Sequence, residues 1–179
     1  MENNLNFLFT GDSITDWFDT AELLKSYKIK NVGVAGDSTA ELAERINYSW
    51  FEPLPDYIFL CIGTNDLARK RTPEEIRDKI LDICTKLSNY SKSSKIVLTT
   101  VFPVRNNPDR FMEDIILLNE LIRKVSINNG YMFFNLFPNF TDEAGMLKEK
   151  FTDDGLHLTK AAYVRWADLF KNFVKGLEK

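Results

Sequence analysis

Short apolar runs of strand length alternate along this chain with longer stretches of helical period, and this alternation restricts the folds it can adopt. Runs rich in Val, Ile, Leu and Phe predict five strands, at 6–10, 29–34, 57–62, 95–101 and 131–135. The helical patterns predict helices at 39–48, 72–90, 108–129 and 159–177. Such alternation is typical of right-handed crossovers and of a parallel sheet that is buried on both faces. The sequence therefore predicts one α/β domain over 1–179, with three α/β/α layers and a five-stranded parallel sheet.

The charge balance argues against nucleic acid or an anionic membrane as a partner. The chain carries 23 Lys and Arg against 26 Asp and Glu, a net charge of −3 at pH 7, so it lacks a basic field. No apolar run approaches the roughly 20 residues of a membrane span, and no secretion leader opens the chain. The spacing of Cys61 and Cys84 fits no metal site. We expect a cytoplasmic chain without metal or cofactor, and these features do not specify its oligomeric state.

Small and polar residues follow the predicted strands at the edge where ligands bind in open parallel sheets. They form five segments: 11–13 (Gly-Asp-Ser), 35–38 (Ala-Gly-Asp-Ser), 63–66 (Gly-Thr-Asn-Asp), 102–107, and the loop 153–157 before the last helix. At any single junction such residues are equally typical of turns and helix caps. Because five such segments are predicted at one sheet edge, we interpret that edge as the candidate site.

The only histidine, His157, lies in the last of these segments, three residues after Asp154. A carboxylate at that spacing can hold one ring nitrogen and leave the other as a base. Acyl transfer also needs a nucleophile and donors for the oxyanion, which backbone N–H groups near a glycine and the amide of Asn65 could supply. Composition alone does not decide between Ser13 and Ser38 as the nucleophile.

Four ordered segments resemble the SGNH (GDSL-type) hydrolases across nearly the whole chain: "FTGDSIT", "NVGVAGDST", "IGTND" and "DDGLH". The resemblance implies that Ser13 is the nucleophile, that Asp154 and His157 complete the triad, and that Ser13, Gly36 and Asn65 form the oxyanion hole. It also implies a flavodoxin-like sheet in the order 2-1-3-4-5. Ser38 then becomes the cap of the next helix, and Asp12 and Asp66 become structural residues.

The implied activity is two-step ester hydrolysis. Without a long apolar insertion to form an acyl tunnel, short acyl groups such as acetyl are favoured, with a small-molecule or saccharide ester as substrate. Trp17, Phe18 and the segment 102–105 are candidates for lining the alcohol pocket. A lysophospholipase or acyl-thioesterase is the alternative within the family. The alternatives from other classes are a binding module without turnover and a nucleotide-binding domain, although the glycine motifs of nucleotide binders are absent.

Overall fold

The predicted parallel α/β architecture is confirmed by a computed structural model, which describes residues 4–177. The strands are β1 (Asn6–Gly11), β2 (Lys28–Asn31), β3 (Tyr57–Cys61), β4 (Lys95–Thr99) and β5 (Met132–Phe134). They lie in the order β2-β1-β3-β4-β5, and every neighbouring pair is parallel. This is the strand order that the family resemblance implies.

Helices connect the strands on both faces of the sheet. They are α1 (Ser13–Asp16), α2 (Thr20–Leu23), α3 (Thr39–Arg45), α4 (Thr64–Ala68), α5 (Pro73–Tyr90), α6 (Met112–Asn129), α7 (Phe137–Phe140) and α8 (Lys160–Leu177). Two 3₁₀ turns, Tyr48–Phe51 and Glu149–Phe151, complete the elements. The four longer predicted helices correspond to α3, α5, α6 and α8. Of the helices between residues 4 and 177, none is long and apolar enough to cross a membrane.

Side chains that alternate along the strands fill two separate cores, one on each face of the sheet. On one face, Phe7 and Phe9 of β1 pack with Phe170 of α8 in an aromatic cluster. On the other face, Leu8 belongs to a mainly aliphatic core that includes Ile80 of α5 and Leu118 of α6. The central strand β1 is therefore buried on both sides, which explains its uninterrupted apolar sequence.

β2 ends earlier than its apolar run predicts because the side chain of Asn31 bonds to the neighbouring backbone. Its Nδ2 donates to the carbonyl oxygen of Thr15 at 2.7 Å, and its Oδ1 accepts from the N–H of Gly33 at 3.0 Å. Beyond Asn31 the chain still follows β1, since Val32 N–H donates to Phe9 O and Val34 N–H to Gly11 O. These bonds bring the loop after β2 alongside α1, where the candidate site lies.

Candidate active site

Ser13 is the first residue of α1, at the carboxyl end of β1. Asp12 caps this helix, and its Oδ1 accepts the N–H of Ile14 at 3.0 Å. Burial raises the pKa of Asp12 to about 7, although the bond from Ile14 and the charge of Arg110 act to lower it. Asp12 thus shapes the turn that holds Ser13, whose own side chain is only 6% exposed.

Ser38 occupies the equivalent turn after β2, but its hydroxyl is committed to capping α3. It donates to the carboxylate of Glu41, which also accepts the N–H of Ser38 at 2.9 Å in a complete capping box. Ser38 is fully buried. The prediction that Ser38 caps the next helix is confirmed, and its hydroxyl is not free to attack a substrate.

The backbone N–H groups of Ser13 and Gly36 have no hydrogen-bond acceptor among residues 4–177. Gly36 has a φ of +87°, a conformation that favours glycine. A Cβ at this position would meet no protein atom within 4 Å, so the turn conformation rather than close packing favours glycine here.

The side chain of Asn65, at the start of α4, connects that helix to the loop after β2. Its Nδ2 donates to the carbonyl oxygen of Asp37 at 2.9 Å, and its Oδ1 accepts from Nη2 of Arg110 at 3.0 Å. An amide nitrogen carries two hydrogens, so one remains for a further acceptor. Asn65 can therefore act as a third donor beside Gly36.

Asp154 and His157 form the acid–base pair that their spacing predicts. Oδ2 of Asp154 lies 2.6 Å from Nδ1 of His157, while Oδ1 accepts the N–H groups of Leu156 and His157 at 2.9 and 2.8 Å. Partial burial acts to raise the pKa of Asp154, but the bonds from His157 and from the backbone lower it to about 2. The neighbouring Asp153 is exposed and forms no hydrogen bond with the described residues.

Trp17 brings the histidine loop against α1. Its ring centroid lies 4.3 Å from that of His157, and Trp17 follows Ser13 by one helical turn. No hydrogen bond joins Ser13 to His157 among the described contacts, as is common in unliganded catalytic sites, where such bonds tighten only when substrate binds. The packing nevertheless places the imidazole on the same side of the sheet edge as Ser13.

The loop of Asp154 and His157 is held by the segment after β4. Gly155 has a φ of +83°, and a Cβ there would lie 2.1 Å from the carbonyl oxygen of Arg105. The N–H of Arg105 in turn donates to Gly155 O at 2.8 Å. This close backbone contact fixes the acid–base pair relative to the sheet.

Charged side chains hold the loops of the candidate site in place, and the sequence identified only some of them. Asp66 is structural, as predicted, because its carboxylate accepts from the N–H and the hydroxyl of Thr39 and from Arg71. Arg45, Arg69 and Arg110 were missed. Arg45 pairs with Asp37, and Arg69 donates to Gly36 O at 3.2 Å. Their partners lie in other loops of the folded chain, so the sequence carried no signal for these contacts.

The residues named as candidates for the alcohol pocket divide between surface and core. Trp17 is 50% exposed, whereas Phe18, Phe102 and Val104 are buried. Arg105 is engaged by Asp142 and by the carbonyl oxygen of Leu147. The neighbours of Ser13 line a small cavity of about 10 Å³, whose residues are Asp12, Ile14, Cys61, Ile62, Thr64, Val101, Phe102, Pro103 and Leu156. Among the candidates, Trp17 is the side chain left open to a ligand.

Comparisons with known proteins agree with this fold. A family model described as GDSL-like lipase/acylhydrolase matches residues 9–165. A Streptococcus pneumoniae protein described in connection with platelet activating factor is similar, with 29% identity, TM-score 0.82, and coverage of 96% of this chain and 84% of that one. A lipase/acylhydrolase from Enterococcus faecalis (21% identity, TM-score 0.81, 96% of each chain) shares the fold. So does an acetylxylan esterase mutant from Geobacillus stearothermophilus (18% identity, TM-score 0.74, 95% and 94% coverage). A comparison with curated proteins found no match.

Proposed function

The chain belongs to the GDSL-like lipase/acylhydrolase family of ester-hydrolysing enzymes, and from that premise we propose that it removes short acyl groups, acetyl first, from esters of carbohydrate alcohols. The proposed catalytic residues are Ser13, His157 and Asp154. The proposed oxyanion donors are the N–H groups of Ser13 and Gly36 and the amide of Asn65. No cofactor takes part in the steps.

In the first step, the Ser13 hydroxyl oxygen attacks the ester carbonyl carbon while Nε2 of His157 accepts the hydroxyl proton. The carbonyl electron pair moves onto oxygen, where the three donors receive it. The C–O bond then breaks, and the proton on His157 passes to the leaving alcohol. In the second step, water attacks the acyl-serine with His157 as base, and the acid and free Ser13 are released. Asp154 holds the ring through Nδ1 and stabilises the imidazolium.

The observation that carries this proposal is the set of unpaired donors at one edge of the sheet. The N–H groups of Ser13 and Gly36 and one hydrogen of Asn65 Nδ2 have no acceptor among residues 4–177. Fixed donors without a protein acceptor can bind the negative charge that develops on a substrate oxygen.

The cavity lined by Asp12 and Ile14, the two neighbours of Ser13, is too small for a long acyl chain. It measures about 10 Å³, room for at most about one water molecule, and most of its lining residues are apolar. A long acyl chain would need side chains of the buried core to move, and such packed cores resist changes of even one methylene. These dimensions support acetyl over the acyl chains of a lysophospholipid or a long-chain thioester.

The exposed ring of Trp17 supports a saccharide as the alcohol part. It stands beside His157, which must reach the leaving oxygen, and half of its surface is open. A flat indole offers an apolar face to the C–H groups of a sugar ring while hydroxyl groups remain hydrated. The likeness in fold to an esterase that acts on acetylxylan adds to this choice of substrate class.

The test is hydrolysis of p-nitrophenyl acetate, butyrate and octanoate by wild type, Ser13→Ala and Ser38→Ala. We expect kcat/KM to fall with chain length, to vanish in Ser13→Ala and to persist in Ser38→Ala, which loses a helix cap worth about 1 kcal/mol. Release of acetate from acetylated xylo-oligosaccharides, compared with Trp17→Ala, then tests the alcohol part.

Other outcomes would redirect the assignment. A preference for octanoate would favour the lysophospholipase or thioesterase alternative. Activity that survives in Ser13→Ala would contradict the proposed nucleophile. A folded wild type without any ester hydrolysis would favour a binding module, and nucleotides that raise its Tm would favour the nucleotide-binding alternative.

A further inference from the structure

Arg110 is a nearly buried guanidinium next to the candidate oxyanion hole, and the mechanism above gives it no role. It follows β4 in the segment before α6 and is 9% exposed. Its Nε donates to the carbonyl oxygen and the hydroxyl of Thr64 at 3.0 and 2.9 Å, and its Nη2 donates to Oδ1 of Asn65 at 3.0 Å. A buried charge is costly, so its place against one amide calls for an explanation.

The bonds around Asn65 determine which way its amide faces. A guanidinium can only donate, so the atom facing Arg110 must be the amide oxygen. A backbone carbonyl can only accept, so the atom facing Asp37 O must be the amide nitrogen. Without Arg110, only the bond to the carbonyl oxygen of Asp37 would hold the amide in this orientation, and its own oxygen would lose its donor.

The same contact strengthens the amide as a donor. A charged donor on the carbonyl oxygen of an amide favours the resonance form with positive charge on nitrogen, and hydrogen bonds polarise one another in this way along a chain. The guanidinium charge itself is permanent: burial lowers the pKa of Arg110 but the carboxylates of Asp109, Asp12 and Asp154 oppose that change. Arg110 would therefore act on the oxyanion indirectly, through the amide of Asn65.

We propose that Arg110 is a positioning residue of the oxyanion hole, which fixes and polarises the Asn65 amide so that its free N–H faces the developing negative charge. The inference rests on the proposed function. It predicts an effect on kcat that depends on Asn65, because charge at the oxyanion develops only in the transition state.

The experiment is a double-mutant cycle on p-nitrophenyl acetate with Arg110→Met, Asn65→Ala and the double variant. We expect Arg110→Met to lower kcat on the order of 10–100-fold, somewhat less than loss of a whole oxyanion donor, with little change in KM. In the Asn65→Ala background the same substitution should change kcat by less than about twofold. Guanidinium chloride well below denaturing concentrations should restore part of the activity of Arg110→Ala only when Asn65 is present.

Arg71→Met is the matched control, since Arg71 also bonds a residue of α4, donating to Asp66 at 2.9 Å, but touches no proposed donor. It should lower Tm and leave kcat within about twofold. If Arg110→Met does not fold, Arg110→Lys replaces it, because lysine keeps the charge without the planar fork.

An unchanged kcat in the folded Arg110 variant would overturn the inference, and so would an equal loss in the presence and absence of Asn65. A wild type that hydrolyses no ester would overturn the proposed function instead. In that case ¹H–¹⁵N spectra still test the contact: the Asn65 side-chain signal, assigned by its loss in Asn65→Ala, should shift in Arg110→Met, and an unmoved signal refutes the positioning role.

Discussion

Replacing Asp12 by asparagine should remove a pH-dependent loss of stability that arises next to Ser13. Asp12 is buried, and its folded-state pKa is about 7 against an ordinary value of 3.8. Between those values the folded protein holds a proton that the unfolded chain releases. Stability attributable to Asp12 is therefore fully present below about pH 4 and is lost as the pH rises through 7.

The size of the effect follows from the difference in pKa. Each pH unit between the two values costs about 1.4 kcal/mol, so from pH 5 to pH 8 the wild type should lose about 3 kcal/mol through this one group. Asparagine has the same shape and still accepts the N–H of Ile14 as a helix cap. It carries no titratable group, so the variant should lack this part of the pH dependence.

Urea unfolding of wild type and Asp12→Asn at pH 5 and pH 8 measures the change directly. The free energy of unfolding of the variant, relative to wild type, should rise by about 3 kcal/mol between the two pH values. Asp19→Asn is the matched control, because Asp19 caps α2 through the N–H of Glu22 but is exposed, and its relative stability should be equal at both. An equal change in the free energy of unfolding with pH for wild type and Asp12→Asn would refute the reasoning. It would mean that the charge of Arg110 outweighs the effect of burial on the pKa of Asp12.

Three further predictions concern the acid–base loop and the aromatic residues after Ser13. Gly155→Ala should destabilise the protein by at least ~2 kcal/mol in urea unfolding and lower kcat, because φ is +83° and the new Cβ would strike Arg105 O; full activity would contradict the backbone contact. Asp154→Asn should lower kcat on the order of 10³–10⁴-fold with a Tm change of a few degrees, measured on p-nitrophenyl acetate. Phe18→Ala should cost about 3–5 kcal/mol in unfolding free energy, since Phe18 is 2% exposed, and Trp17→Ala less than about 1; the reverse order would contradict the division between core and surface.

Much of the fold could be predicted from local pattern because each central strand is buried on both faces. β1, β3 and β4 are uninterrupted apolar runs, and the structure places them within two residues of the predicted bounds. β2 and the short helices could not be bounded in this way. β2 ends at Asn31, whose polar side chain bonds to the backbone of α1. The helices α1, α2, α4 and α7 have four or five residues, too few for a helical period.

The candidate site could likewise be predicted only in part. The structure brings Asp154 and His157 together, and it engages Ser38 in a cap, both as the motifs predict. The catalytic roles of all five residues stay predictions: Ser13, Asp154, His157, Gly36 and Asn65. Arg110 could not have been foreseen, because its contact with Asn65 joins residues 45 positions apart through tertiary packing. Motifs mark groups that chemistry requires, whereas the groups that orient them depend on the folded surroundings.

The hydroxyl of Tyr163 in α8 donates to the carbonyl oxygen of Ile14, 149 positions away, at 2.9 Å. This bond ties the last helix to the turn that carries Ser13, and His157 stands just before the same helix. During synthesis, a ribosome-bound chain that ends before Asp154 would hold Ser13, Gly36 and Asn65 but neither His157 nor this tie. If the proposed mechanism holds, ester hydrolysis would therefore begin only after the histidine loop and α8 have emerged and docked on this turn.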